Sequence, residues 1–349
     1  MPRTSATLAA PGPYPVGFRT FAFVDASRPT PPNGTFAGAP TRTLTTVIFY
    51  PAAAGTEGSG APVDADGAPF PALLWAHALS DTRIGERYLL EHLASHGYVV
   101  ASPDFPLGRI GAPGNATAND LANQPGDLRF VLASLPAALP GAIDEERIGA
   151  SGLSLGAITV LLTTYHPTLR EPRLRAVLPV APPYACALTR RFYRTTHVPL
   201  LVLQGDDDHM APPEENGARA ARFAHGDARL VEIHGGSHMG FVGFMTTFDQ
   251  SVHFDRFGCD ILLSLISDFS LPPIPDEQRA GISGDPALCP RPCDTPFVDP
   301  ALPAARQQEI TRLVETAFFD AFLRDDPAAR CFLESGLATE NADLTVTDR

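Results

Sequence analysis

This sequence contains no lysine. Its 26 cationic side chains are all arginines, set against 39 acidic side chains, and the formal net charge is −13. The absence of lysine excludes Schiff-base chemistry through an ε-amine. The acidic balance argues against a nucleic-acid partner, because phosphate binding needs clustered positive charge. No apolar run approaches the roughly 20 residues of a membrane span, so none is expected.

Cysteine is also sparse, with five residues at positions 186, 259, 289, 293 and 331. Four of them fall in the C-terminal third, a clustering that suits one or two disulfides in a secreted or periplasmic protein. Residues 1–12 are too short and too polar for a signal peptide, so a cytoplasmic location stays open if Met1 is the native start. No paired Cys or His cluster accompanies Cys289 and Cys293, so no metal is expected.

A serine flanked by glycines lies between an apolar strand and an apolar helix. Gly152, Ser154 and Gly156 separate a strand at 148–151 from a helix at 157–162. A sharp turn there lifts the hydroxyl above the sheet, beside a helix N-terminus that favours negative charge. The pattern predicts Ser154 as a nucleophile. The alternative is a glycine-rich turn whose serine takes no part in catalysis.

Three consecutive aspartates follow the apolar strand 198–204. A carboxylate at this place can orient an imidazole and stabilise its cation. Asp208, three residues after Gly205, is favoured as the catalytic acid, with Asp206 and Asp207 capping the turn. A hydrated turn without a catalytic acid remains the alternative.

A histidine follows the strand 229–234 on a loop loosened by two glycines. Such a loop lets His238 reach Ser154 on one side and Asp208 on the other, as a general base requires. His234 is a rival, but its place at the strand end favours packing or pairing. The chain order Ser, Asp, His is the order expected of an α/β-hydrolase.

An earlier strand, 70–77, ends in a loop that is expected to bind the oxyanion. Backbone N–H groups of Leu79 and of Leu155, the residue after the nucleophile, are the predicted donors. His77 is expected to hold this loop by side-chain hydrogen bonds rather than to act as a base. The other histidines carry no motif and are expected at the surface or at helix ends.

The strands and helices alternate along most of the chain. Continuous apolar strands between helices predict a mostly parallel sheet covered on both faces, an α/β fold in one domain spanning 1–349. The short gap after the strand 174–181 leaves no room for a large cap domain. The predicted strands are 18–25, 41–51, 70–77, 98–102, 148–151, 174–181, 198–204 and 229–234, and the main predicted helices are 85–96, 128–139 and 307–323.

A proline-rich insertion is predicted at 241–305, before the closing helix at 307–323. Its start is apolar, and Phe241 and Phe244 are interpreted as substrate-binding residues that wall an acyl or alcohol pocket. Packing of these side chains as satellite core is the alternative. We expect disulfide bonds to constrain the insertion through Cys259, Cys289 and Cys293. Cys331, in the region of the last helix, is expected to take part in this cross-linking.

Several segments resemble the α/β-hydrolase superfamily, and within it the plasma-type platelet-activating-factor acetylhydrolase and dienelactone-hydrolase-like branch. The resemblance is carried by residues 12–17, 71–77, 90–104 and 143–154. This chain has Ala78 where such proteins usually have glycine after the histidine. The nucleophile position holds serine, where true dienelactone hydrolases have cysteine. The resemblance implies hydrolysis of carboxylic esters.

The sequence therefore predicts a serine esterase that needs no cofactor. Ser154 would attack the ester, His238 would transfer the proton, and Asp208 would orient the histidine. The expected substrate is a small-molecule or polymeric ester, and no oligomeric state is indicated. A peptidase or amidase on the same fold and a non-catalytic binding protein are the alternatives.

Overall fold

Ten strands form one mixed sheet in the computed structural model, which describes residues 3–265 and 272–348. Their spatial order is β10-β9-β8-β7-β6-β4-β5-β2-β1-β3. The strands are β1 (Val16–Asp25), β2 (Arg42–Pro51), β3 (Gly58–Ser59), β4 (Phe70–Ala76), β5 (Val99–Pro103), β6 (Ile143–Leu153), β7 (Leu174–Val180), β8 (Leu200–Gly205), β9 (Ala228–Ile233) and β10 (Leu344–Asp348).

The middle of the sheet is parallel, and antiparallel pairs flank it on both sides. Strands β5, β4, β6, β7, β8 and β9 run parallel, whereas β2 pairs antiparallel with β1 and β5. All eight predicted strands are present within a few residues. The short β3 and the edge strand β10, which pairs antiparallel with β9, were not predicted.

Helices cover both faces of the sheet. They are α1 (Ser5–Ala9), α2 (Arg87–Ser95), α3 (Gln124–Ala138), α4 (Leu155–Tyr165), α5 (Arg190–Tyr193), α6 (Gly217–Phe223), α7 (Asp255–Leu265), α8 (Ala304–Leu323), α9 (Pro327–Cys331) and α10 (Leu337–Glu340). One hydrophobic cluster joins α1, α2 and α8 to the sheet, and a second joins α3, α4 and α6 to the opposite face. No helix among the described residues is both long and apolar enough to cross a membrane.

Strand β4 illustrates why the sequence folds this way. All seven of its residues are buried. Leu73 and Trp75 pack on the α8 side, whereas Ala72 and Leu74 pack on the α4 side. A strand buried on both faces needs a continuous apolar run, which is the pattern seen in the sequence.

The insertion after β9 has little regular structure apart from α7. Only the 3₁₀ turns Met239–Phe241, Gly243–Thr247, Asp276–Gln278 and Pro286–Leu288 accompany that helix in its described part. Residues 266–271 of the predicted insertion lie outside the described residues. Between β7 and β8 the chain has space for the short α5 but for no large cap, as predicted.

Candidate active site

Ser154 lies at the sharp turn between β6 and α4. Its φ and ψ are 56° and −120°, a strained conformation for a residue with a side chain. A Cβ atom at Gly156 would overlap the carbonyl oxygen of Ala76, so only glycine lets α4 approach β4 this closely. The turn leaves Ser154 partly exposed between buried neighbours. This is the strand–turn–helix geometry that presents a nucleophilic serine.

Asp208 and His238 are hydrogen-bonded to each other in the interior. Nδ1 of His238 lies 2.8 Å from Oδ2 of Asp208, and both residues are about 3% exposed. Burial alone would lower the pKa of His238. The charge and hydrogen bond of Asp208, together with the charge of Asp255, outweigh it and raise this pKa above its usual value.

Asp208 is itself held by its turn, unlike its two neighbours. Its Oδ1 accepts the backbone N–H groups of Met210 at 2.9 Å and Ala211 at 2.6 Å. Gln204 Nε2 donates to Oδ2 at 2.9 Å. Four donors thus hold the Asp208 carboxylate in place when His238 is counted.

The rival acids and the rival base have other partners. Asp206 accepts the N–H of Gly235 and caps the turn as predicted. Asp207 instead lies 3.2 Å from the Nε2 atoms of both His209 and His253. His234 is exposed, and its Nε2 lies 2.8 Å from Oγ1 of Thr345 on β10.

One cavity is lined by both Ser154 and His238. Leu79 and Leu155, the predicted oxyanion donors, line it too. Leu155 is the first residue of α4, so its N–H has no acceptor within the helix. The remaining lining is uncharged and mostly apolar: Ala118, Pro183, Tyr184, Cys186, Met210, Pro212, Asn216, Leu262, Cys289, Pro290 and Pro292.

His77 holds the loop that leads to Leu79. Its Nδ1 lies 2.7 Å from the carbonyl oxygen of Ala78, and its Nε2 accepts the N–H of Phe105 at 3.0 Å. These partners place the proton on Nδ1. Burial lowers the pKa of His77, which keeps the ring neutral. The structural role predicted for His77 is confirmed.

Phe241 and Phe244 do not line the cavity, which corrects their interpretation as substrate-binding residues. Phe241 is 1% exposed and packs in the core on the α8 side, and its carbonyl oxygen accepts the hydroxyl of Tyr88 at 3.0 Å. Phe244 is 47% exposed and packs against Phe248 and Phe257 at the surface. The residues of the insertion that wall the cavity are instead Leu262, Cys289, Pro290 and Pro292.

Two disulfide bonds constrain the insertion. Cys259 is bonded to Cys293 within the C-terminal third, as expected, and Cys289 is bonded to Cys186 after β7. Cys331 is a free, exposed thiol. The expectation that Cys331 joins this cross-linking is therefore wrong, because its position after α8 carries it away from the other four cysteines.

The sequence interpretation missed two buried groups beside the site. His209 and His253 were expected at the surface or at helix ends but are 6% and 0% exposed. With Asp207 they could offer three ligand atoms to a metal ion. However, Nδ1 of His253 accepts the N–H of Asp255 at 3.2 Å, which places the proton of the neutral ring on Nε2. That nitrogen then donates to Asp207, so the contacts fit a hydrogen-bonded cluster better than a ligand set.

The second missed group is Asp255, the first residue of α7. Its carboxylate is fully buried and accepts backbone N–H groups of His209, His238 and Met239. Burial and the charge of Asp208 raise its pKa, against the opposing effects of His238 and these N–H donors. No spacing in the sequence distinguishes Asp255 from the other acidic residues of the insertion.

Comparison with known proteins finds a family and a solved structure that are similar to this chain. The family model described as "PETase: PET hydrolase-like" matches residues 47–252. A solved structure of a ferulic acid esterase from Streptomyces cinnamoneus is similar to this chain, with 25% sequence identity and a TM-score of 0.60 over 92% of this chain and 94% of that one. No curated protein sequence matches. These matches confirm the predicted α/β-hydrolase fold.

Proposed function

This chain belongs to the PET hydrolase-like family and is a carboxylic ester hydrolase, and we propose that it acts through an acyl-enzyme formed on Ser154. The observation that carries the proposal is the position of His238. This residue lines the same cavity as Ser154 while its Nδ1 is held by Asp208. Nε2 is then the ring nitrogen free to exchange a proton with the serine.

Each step follows from this arrangement. The Ser154 oxygen attacks the ester carbonyl carbon as Nε2 of His238 takes the hydroxyl proton, and the carbonyl oxygen becomes an oxyanion. The N–H groups of Leu155 and Leu79 are proposed to bind that oxyanion, where each donor contributes about 3–4 kcal/mol in other enzymes. His238 then protonates the departing alcohol. Water, deprotonated by His238, cleaves the acyl-serine and restores the enzyme.

The substrate we propose is an uncharged ester. No aspartate, glutamate, lysine or arginine side chain lines the described cavity, and leucine, proline and methionine side chains form most of it. Such a surface binds apolar acyl or alcohol groups by removing them from water. The family description names PET and the similar structure is a ferulic acid esterase, so a PET film and a ferulate ester are suitable test substrates.

The test combines labelling of the nucleophile with an ester panel. We expect a fluorophosphonate probe to label Ser154, and Ser154→Ala to lose both labelling and activity to near background. The exposed Ser335→Ala is the matched control and should keep both. p-Nitrophenyl esters from C2 to C16 should be cleaved, whereas p-nitroanilides should not. An unlabelled Ser154, or a Ser154→Ala variant that keeps more than a few per cent of kcat, would refute the mechanism.

The same assay addresses metal dependence. The proposed steps use no metal, so EDTA should leave kcat and the melting temperature unchanged. Loss of activity that zinc or calcium restores would count against the mechanism and would make Asp207, His209 and His253 the first residues to examine.

A further inference from the structure

Asp255 connects the two loops that carry Asp208 and His238. One carboxylate oxygen, Oδ2, accepts the backbone N–H of His238 at 3.1 Å and that of His209 at 3.0 Å. The other oxygen, Oδ1, accepts the N–H of Met239 at 2.8 Å. A single buried side chain thus binds the residue that follows Asp208, the base itself and the residue after the base.

The insertion holds His209 from a second direction. The N–H of Cys293 donates to the carbonyl oxygen of His209 at 2.7 Å. Cys293 is disulfide-bonded to Cys259, which lies one helical turn after Asp255 on α7. Both backbone polar groups of His209 are therefore bound by the insertion, and the disulfide fixes the two partners relative to each other.

The contacts of Asp255 fit a charged carboxylate. Both oxygens accept hydrogen bonds from N–H groups, and no cationic side chain pairs with Asp255 among the described residues. The titratable groups that face it are Asp208 on the turn after β8, His209 and His238 on the two loops, and His253 just before it, with Asp207 beyond the two histidines. Three N–H donors can hold such a charge in the interior.

We propose that Asp255 is a positioning residue for ester hydrolysis, setting the distance between the Asp208 and His238 loops and supporting the His238 imidazolium by its charge. The proposal rests on the proposed function of Ser154, Asp208 and His238. Catalytic groups have to be held to within about 0.5 Å of productive geometry. A side chain that binds both loops meets this need better than the Asp208–His238 contact alone.

Asp255→Asn tests this proposal, with Asp260→Asn as the matched control. Asp260 lies on the same helix and is exposed, so its variant removes the same charge without touching either loop. We expect Asp255→Asn to lower kcat by about tenfold or more with KM nearly unchanged. The acid limb of kcat/KM should shift to lower pH, because one anion beside His238 is lost. Asp260→Asn should change neither quantity.

Counting active sites separates a positioning role from a folding role. The kcat of each variant is divided by the fraction of protein that a fluorophosphonate probe labels. If Asp255→Asn has the wild-type kcat per labelled site and the acid limb of its kcat/KM does not shift, the proposal is overturned. Failure of the wild-type protein to label would instead refute the proposed function, whatever Asp255 does.

Hydrogen exchange keeps the proposal testable if Asp255→Asn does not fold. In the wild-type protein, the amides of His209, His238 and Met239 lie in loops but donate to a buried carboxylate. We expect them to exchange at least about a hundredfold more slowly than free amides. Exchange at the free rate would show that the contacts with Asp255 do not hold the loops, and would overturn the proposal.

Discussion

Cys289 of the insertion is disulfide-bonded to Cys186, and both residues line the cavity that contains Ser154. Pro290 and Pro292 continue the same wall. A proline-rich segment forms few backbone hydrogen bonds, since proline has no N–H to donate. The Cys186–Cys289 bond therefore anchors one end of this wall beside the nucleophile, and the Cys259–Cys293 bond anchors the other end.

Removing this disulfide should change ester selectivity. In the double variant Cys186→Ser/Cys289→Ser the wall is anchored only at its Cys293 end, so KM should rise and the preference for acyl length should broaden. The bond closes a loop of 103 residues, so its loss should also cost about 2–5 kcal/mol of stability. The measurement is kcat/KM over the C2 to C16 panel, taken well below the melting temperature. Cys331→Ser, which removes the exposed free thiol, is the control. Identical chain-length profiles in the two variants would contradict the prediction.

Asp208→Asn should be far more damaging than Asp206→Asn. An amide at position 208 can keep the contact with His238 but favours the wrong tautomer, and a comparable change in another serine enzyme lowers kcat by about 10⁴-fold. Asp206 is exposed and caps the N–H of Gly235, so its amide variant should stay within about twofold of wild type. Steady-state kinetics of the two purified variants decide this. If Asp206→Asn lost more kcat than Asp208→Asn, the assignment of Asp208 as the catalytic acid would be wrong.

Eight of the ten strands could be predicted because each is a short apolar run, and the three residues of the proposed triad were selected on equally local patterns. Ser154, Asp208 and His238 each lie in the turn or loop that follows an apolar strand, and parallel strands bring their C-terminal ends to one edge of the sheet. Asp255 could not be found this way. Its role depends on how an insertion with one main helix folds back over two loops, whose contact residues His238 and His209 lie 17 and 46 residues before it in the sequence.

The cavity wall was misassigned for a related reason. Phe241 and Phe244 are apolar and close to His238 in sequence, which suggested a pocket. The 3₁₀ turn Met239–Phe241 buries Phe241 in the core instead, and Phe244 lies outside with Phe248 and Phe257. Local composition identifies a side chain that prefers contact with apolar groups. It does not say whether a core, a surface cluster or a substrate supplies them.

The pH dependence of activity should report His238. The base must be neutral to accept a proton, and its pKa is raised above 6.5 by Asp208 and Asp255. Activity is therefore lost as pH falls through this raised pKa, and kcat/KM should show an acid limb with a midpoint above about 6.5. Asp208→Asn should move the midpoint down, because the neighbouring negative charge is gone. If the acid limb of kcat/KM does not shift in Asp208→Asn, a group other than His238 controls it.

Glu315 should make the folded state less stable at alkaline pH. The Ser151 hydroxyl lies 2.7 Å from the carbonyl oxygen of Leu178 and 2.9 Å from Oε1 of Glu315, and it has one proton to donate to either acceptor. Burial raises the pKa of Glu315 to about 8, against a smaller opposing effect of the Ser151 hydrogen bond.

The sign of the effect follows from linkage. The folded state keeps the Glu315 proton up to about pH 8, whereas the unfolded chain loses it near the ordinary value of 4.5. Stability from this group is therefore fully present below pH 4.5 and declines as pH rises through about 8, by up to about 1.4 kcal/mol per pH unit. In Glu315→Gln the side chain stays neutral at every pH. The free energy of unfolding of Glu315→Gln, measured in denaturant melts, should increase relative to that of wild type from pH 5 to pH 9. For the exposed Glu334→Gln the difference from wild type should stay constant over this range. A constant difference between Glu315→Gln and wild type across this range would show that Glu315 is ionised in the folded protein.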